Sequence, residues 1–181
     1  ELGDRYNEGI VLGNLAVLHS EQGRIAEALT HYEQALAIAR EVGDRRNVGV
    51  VLGNLGDLHY ATSDLGAAEQ HLQQAIEIGD EVWPAAAGAF RGTLALILAE
   101  NDALDDARAL LERGDSQLRG VYALELAKLL CKRARVEQLA GDTGAASAAL
   151  AEAESIAEDA NAGPDSELGQ ELTKTRAALT D

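Results

Sequence analysis

Apolar residues fall at helical spacing along this chain, in blocks separated by short polar turns. Ile10, Val11, Leu12, Leu15 and Leu18 form one block, and Ile25, Ala28, Leu29, Tyr32, Ala35, Leu36 and Ile38 form the next. Gln22-Gly23-Arg24 lies between them, and Gly23 can take the left-handed conformation that ends a helix. The pattern predicts two antiparallel helices, A then B.

The same pattern then recurs. Residues Glu1 to Arg40 align with Glu41 to Asp80, and about eighteen of the forty positions are identical. A fixed period in this range marks a stacked repeat. In the second unit the turn moves to Ser63-Asp64, with Asp64 placed to cap the following helix. A third, degenerate unit opens its A helix at Trp83-Pro84, since proline is tolerated in a first turn. Its Leu94, Ala95 and Leu98 take the places of Leu15, Ala16 and His19, its turn is Asn101-Asp102, and its B helix is expected to be short or bent near Gly114. A fourth unit runs from about Val121 to Ala160 and turns at Gly141-Asp142-Thr143.

Asn161-Ala162-Gly163-Pro164 then breaks the chain, and Asp165 to Leu179 carries one apolar stripe, Leu168, Leu172, Thr175 and Leu179. That is the pattern of a helix capping the last unit of an array. The expected architecture is all-α, a single array over 1–181 with approximate units 5–40, 41–80, 81–120 and 121–160 and a capping helix at 165–179. The sequence contains no methionine, and Glu1-Leu2-Gly3-Asp4 matches the handover motif Glu41-Val42-Gly43-Asp44. The expectation is therefore a piece cut from a larger protein, with a genuine C-terminus.

Composition narrows the function. The net charge of −16 makes nucleic acid and anionic membrane surfaces poor partners. No apolar run approaches the ~18 residues that would span a bilayer. One cysteine, Cys131, excludes an internal disulfide and fits a reducing, cytoplasmic compartment.

The repeated residues resemble the tetratricopeptide repeat (TPR). Leu15-Ala16, His19, Gly23, Ala28, Tyr32 and Ala35 match its pattern, as do Leu55-Gly56, His59, Ala68, Leu72 and Ala75. The 40-residue period, with Leu-Gly-Asn-Leu in helix A, is similar to the longer-helix variety found in kinesin light chains and bacterial regulators. The resemblance implies a right-handed superhelical solenoid whose A helices line a concave groove for an extended peptide or partner helix. It also implies that an asparagine of helix A bonds the peptide backbone, and Asn14 and Asn54 hold that place. A side-chain amide offers both a donor and an acceptor, so it can pair with any peptide unit. Val17, Asp57 and Tyr60 join them as expected groove residues. The basic clamp of chaperone-binding members is missing, because Ile10, Gly13, Val50, Gly53 and Ala89 stand at its positions. Gly13, Gly53 and Gly92 leave that floor bare, for a partner's backbone or for close packing between A helices.

Further along, Lys128, Lys132 and Arg135 make a basic stripe on the A helix of the fourth unit. It would receive an acidic peptide, or else be paired with neighbouring acids. The histidines fall into repeat-related pairs, His19 with His59 and His31 with His71; His19 and His59 hold the aromatic position of the resembled repeat, between helices A and B, which implies packing with one ring nitrogen satisfied. No metal-ligand or nucleotide-binding spacing is present, and Cys131 has no triad-like partner. Cys131 reads as a small residue facing the groove, or as a thiol activated by Lys128 and Lys132. The expectation is a protein- or peptide-binding scaffold of a larger signalling or regulatory protein, not an enzyme, with no cofactor. The alternative is a self-association or packing module regulating a neighbouring catalytic domain, with self-contact through the apolar N-terminal edge.

Overall fold

In a computed structural model the described residues, 2–180, form nine helices and no strands. Glu1, which opens the repeated handover motif, and Asp181 lie outside them, as do the side chains of Leu2 and Gly3. The helices are α1 (Leu2–Glu21), α2 (Ile25–Glu41), α3 (Arg45–Ala61), α4 (Leu65–Val82), α5 (Pro84–Glu100), α6 (Leu104–Leu118), α7 (Ala123–Leu139), α8 (Thr143–Asp159) and α9 (Glu167–Thr180). Odd numbers up to α7 are A helices and the even numbers are B helices. The chain divides at Ala87 and Gly88, inside α5, into two compact units.

Unit 1 contains two hairpins, α1 with α2 and α3 with α4. Each closes on a ladder of alanines and larger apolar residues: Ala28, Tyr32 and Ala35 on α2, and Ala68, Leu72 and Ala75 on α4, all buried. The small residues let the helices approach closely. A methyl group placed on Gly56 of α3 would stand 2.6 Å from Cγ of Leu72. The second hairpin joins the first because α3 packs on α2 and meets α1.

The turns repeat too. In each A-to-B turn one residue is left-handed: Gly23, Ser63, Asp102 and Gly141, at φ 71°, 63°, 61° and 75°. The next amide donates back to a carbonyl one turn earlier, as Arg24 N does to His19 O and Asp64 N to His59 O, both at 2.9 Å. This satisfies carbonyls that a helix end would otherwise orphan. Asp44, Asp64 and Asp142 then cap the next helices, accepting from the amides of Asn47, Ala67 and Ala145 at 3.0, 3.2 and 2.9 Å. Each such cap contributes about 1 kcal/mol.

Unit 2 holds α7 paired with α8, with α6 against α7 and α9 across both. Leu168, Leu172 and Thr175 of α9 are buried, as the capping stripe predicts. The B helix of the third unit, α6, is 15 residues long and shorter than its counterparts, yet it runs unbroken through Gly114. A methyl group there would meet the Gly88 carbonyl oxygen at 2.8 Å and Leu129 at 3.1 Å. The glycine reflects close packing, not a bend. Gly92 likewise abuts Lys132 and Leu129 of α7, so its bare face serves contact between A helices.

Candidate peptide-binding face

In unit 1 the faces of α1 and α3 left open after hairpin packing carry polar residues at helical spacing. On α3, Asn47, Val50, Asn54 and Asp57 are all half-buried and share one stripe. Their counterparts on α1 are Asn7, Ile10 and Asn14, which are exposed, and Val17, which is half-buried. Asn14 and Asn54 therefore have companions one heptad earlier, Asn7 and Asn47, and the two A helices present four repeat-related amides. The sequence contained the signal for the second pair in the same 40-residue offset, since Asn7 and Asn47 are identical across it. Among the described residues no other side chain engages the amides of Asn7, Asn14 or Asn54.

The stripe is flanked by Tyr60 on α3, half-buried, and its last member, Asp57, stands near the buried Tyr32 of α2. Burial pushes the Tyr32 phenol up to about 12, and the Asp57 carboxylate adds to that rise. Tyr32 is thus neutral at any physiological pH. Asp57 brings negative charge to the place that Val17 occupies one repeat earlier.

The basic stripe of unit 2 has a different setting. Lys128 Nζ donates to Glu125 at 2.8 Å and to Glu167 of α9 at 2.7 Å. Burial works against its charge, but the two carboxylates outweigh burial and raise its pKa. Lys132 Nζ donates to Thr93 Oγ1 of α5 at 2.7 Å. Arg135 lies 3.9 Å from Glu171 of α9. Two of the three cations are therefore paired with acids of the capping helix and the third with a buried threonine.

Cys131 lies beside Thr175 of α9, fully buried. Burial pushes its thiol up to about 11, opposite to the activated thiolate that nearby lysines would favour. It packs under α9 and lines no open face. The histidines pair across each hairpin instead of along the repeat. His19 stacks on His31 with ring centroids 5.0 Å apart, and His59 on His71 at 5.2 Å. Nδ1 of His19 and of His31 has no hydrogen-bond partner among the described residues, whereas His59 Nδ1 lies 3.5 Å from Asp64. Among the described residues no three His, Cys, Asp or Glu side chains gather in a metal-binding arrangement. No described helix is long and apolar enough to cross a membrane.

Comparison with known proteins places this arrangement. A family model described as the MalT-like TPR region matches residues 9–174. Among solved structures, the crystal structure of BtubC (BKLC) from P. vanneervenii superposes with a TM-score of 0.67 at 22% identity. The match covers 86% of this chain and 65% of that one, and at this identity it establishes the helical-repeat fold alone. None of the curated proteins matches the chain in sequence.

Proposed function

The chain belongs to the MalT-like TPR region family, and from that membership we propose that it is an interaction scaffold that captures an extended peptide on the A-helix face of unit 1. Proteins of this repeat type are interaction scaffolds in general, and typically non-catalytic ones. The observation that carries the finer reading is the set of amides at Asn7, Asn14, Asn47 and Asn54, repeated on two neighbouring A helices. Each amide can donate to a peptide carbonyl and accept from a peptide N–H. Their repetition at a fixed offset suits a ligand that is itself periodic along its backbone. Val17, Asp57 and Tyr60 would flank that backbone and contact its side chains. The net charge of −16 and Asp57 favour a ligand bearing Lys or Arg. Lys128, Lys132 and Arg135 fit a structural role better, since acids of α9 and Thr93 already engage them. A place within a larger regulatory protein is in keeping with a family described as a region.

A randomised-peptide selection against the chain, followed by affinity measurement on the best binder, tests this reading. Asn14→Ala and Asn54→Ala are each expected to weaken binding roughly 2- to 10-fold, the worth of one hydrogen bond, with helical content unchanged. Lys128→Ala is expected to leave affinity unchanged while lowering the melting temperature. Binders indifferent to both asparagines would refute the assignment of this face.

A further inference from the structure

Three repeat units place a leucine at one position of the A helix, and the fourth places an arginine there. Counting eight residues back from the left-handed residue of each A-to-B turn, Gly23, Ser63, Asp102 and Gly141, gives Leu15, Leu55, Leu94 and Arg133. The residue after it is small and buried in every unit, Ala16, Gly56, Ala95 and Ala134, so the four positions share one register. Leu55 and Leu94 are buried, and Arg133 is half-buried.

Within unit 2, Arg133 sits between two residues of α7 that touch α6. Leu129, one turn before it, packs at Gly114, and Glu137, one turn after it, receives Arg108. Two arginines of α6 show what such a group does when it is satisfied. Arg108 Nε and Nη2 donate to Glu137 at 3.2 and 2.6 Å, and Arg119 Nε and Nη2 donate to Asp115, both at 2.7 Å. Arg119 Nη1 also donates to Glu152 of α8 at 2.8 Å. Each presents the same edge of its guanidinium to a carboxylate. Arg133 Nε is buried and has no hydrogen-bond partner among the described residues. Its charge acts on Asp115, but both oxygens of Asp115 already accept from Arg119. A buried N–H left without an acceptor is costly, and the repeat's packing does not require one here, since leucine serves in the other units.

We propose that Arg133 is a binding site for a carboxylate from outside the fold. The ligand fills the Nε–Nη2 edge as Glu137 fills that of Arg108 and Asp115 that of Arg119. A planar guanidinium matches a carboxylate with two parallel hydrogen bonds, which an ammonium cannot reproduce. The net charge of −16 opposes a polyanion, so the site suits a single carboxylate better than a phosphorylated or polyacidic ligand. The site belongs to unit 2 and the asparagine face to unit 1, so the two readings stand or fall separately.

Side-chain Nε–H spectra of the isotope-labelled chain test this. The probes are acetate, N-acetyl-triglycine and its C-terminal amide, with ionic strength held constant by sodium chloride; the Arg133 signal is assigned by its loss in Arg133→Lys. A saturable shift of that signal with the carboxylates, and none with the amide, is expected. Acetate acting alone would support a small free carboxylate as ligand, and the peptide acting alone a chain end. Arg133→Lys keeps the charge without the fork, and Arg133→Leu restores the residue of the other units. Each is expected to weaken carboxylate binding roughly 10- to 100-fold, read from the backbone amides of Asp115 and Ala134. Arg133→Leu should also melt no lower than the parent. An Arg133 signal that does not respond to either carboxylate would overturn the proposal. So would an equal response to inorganic phosphate or to the amide, or undiminished binding by Arg133→Lys or Arg133→Leu.

Discussion

His19, His31, His59 and His71 are the only histidines in the chain, and all four lie in unit 1. Each stacked pair holds two rings about 5 Å apart, so protonating both would set like charges face to face. Burial lowers the pKa of His19 below its ordinary 6.5, helped by Arg24 and by His31, against Glu27. Burial also lowers that of His71, followed by His59, with Arg40 acting the same way and Asp64 against it. A folded pKa below the unfolded value means the unfolded chain binds more protons, so stability falls as pH drops through about 6.5 and below. The paired carboxylates whose pKa is also lowered, Glu41 beside Arg5 and Asp115 beside Arg119, titrate in a lower window, from about 4.5 down. Amide exchange at pH 7.5 and pH 5.5 should therefore show α1 to α4 loosening while α7 to α9 hold. His19→Gln with His71→Gln should remove most of the difference. An equal loss in both units would rule out the histidines as its source.

At this scale the sequence was legible in part. Forty-residue spacing identified which histidines were equivalent, but equivalence along the repeat is not contact. Contact follows from the antiparallel hairpin, which brings the end of an A helix to the start of its own B helix and so joins His19 to His31. The cations of α7 were legible as a stripe and α9 as a capping helix, yet the apolar stripe that docks α9 does not record that Glu167 and Glu171 meet those cations.

Among the elements, helix starts and stops followed from local chemistry, and boundaries read from the sequence lie close to those observed. Aspartates before Asn47, Ala67 and Ala145 cap, and a left-handed residue closes every A helix through α7. Where that residue is Ser63 and not glycine, the side chain crowds its own carbonyl. Ser63→Gly should stabilise the α3–α4 hairpin by about 0.5–1 kcal/mol, measured by denaturant unfolding at unchanged slope. Gly114 was misleading for the opposite reason. Helix propensity alone reads it as a weak point, and by that logic Gly114→Ala would gain about 1 kcal/mol. A methyl group 2.8 Å from the Gly88 carbonyl oxygen reverses the sign, because neither backbone can move cheaply. The expected result is a net loss of about 1–3 kcal/mol. A stabilised Gly114→Ala chain would show that α5 and α6 are less closely packed than described.

For the molecule as a whole, the repeat accounts for the helical hairpins, and the hairpins account for which faces remain free. Packing within unit 1 buries the alanine ladders of α2 and α4 and the leucine stripe of α3, and leaves Asn7 and Asn14 exposed and Asn47 and Asn54 half-buried. Asn14 and Asn54 were legible from the repeat and its resemblance to known arrays. Asn7 and Asn47 needed the helices on the page, since only then does a heptad offset become one face. The strong negative charge belongs to this scale as well. If the ligand is cationic, its association rate should fall as ionic strength rises from 0.05 to 0.5 M, on the order of tenfold, while a neutral binder's rate stays nearly constant.

Amide hydrogen exchange of the chain with and without its best selected peptide tests the central claim most directly. The account predicts that bound peptide slows exchange along α1 and α3, chiefly in the turns of helix holding Asn7, Asn14, Asn47 and Asn54, with α7 to α9 unchanged. Protection confined to the B helices, or to α7 and α9 around Lys128 and Arg135, would contradict it.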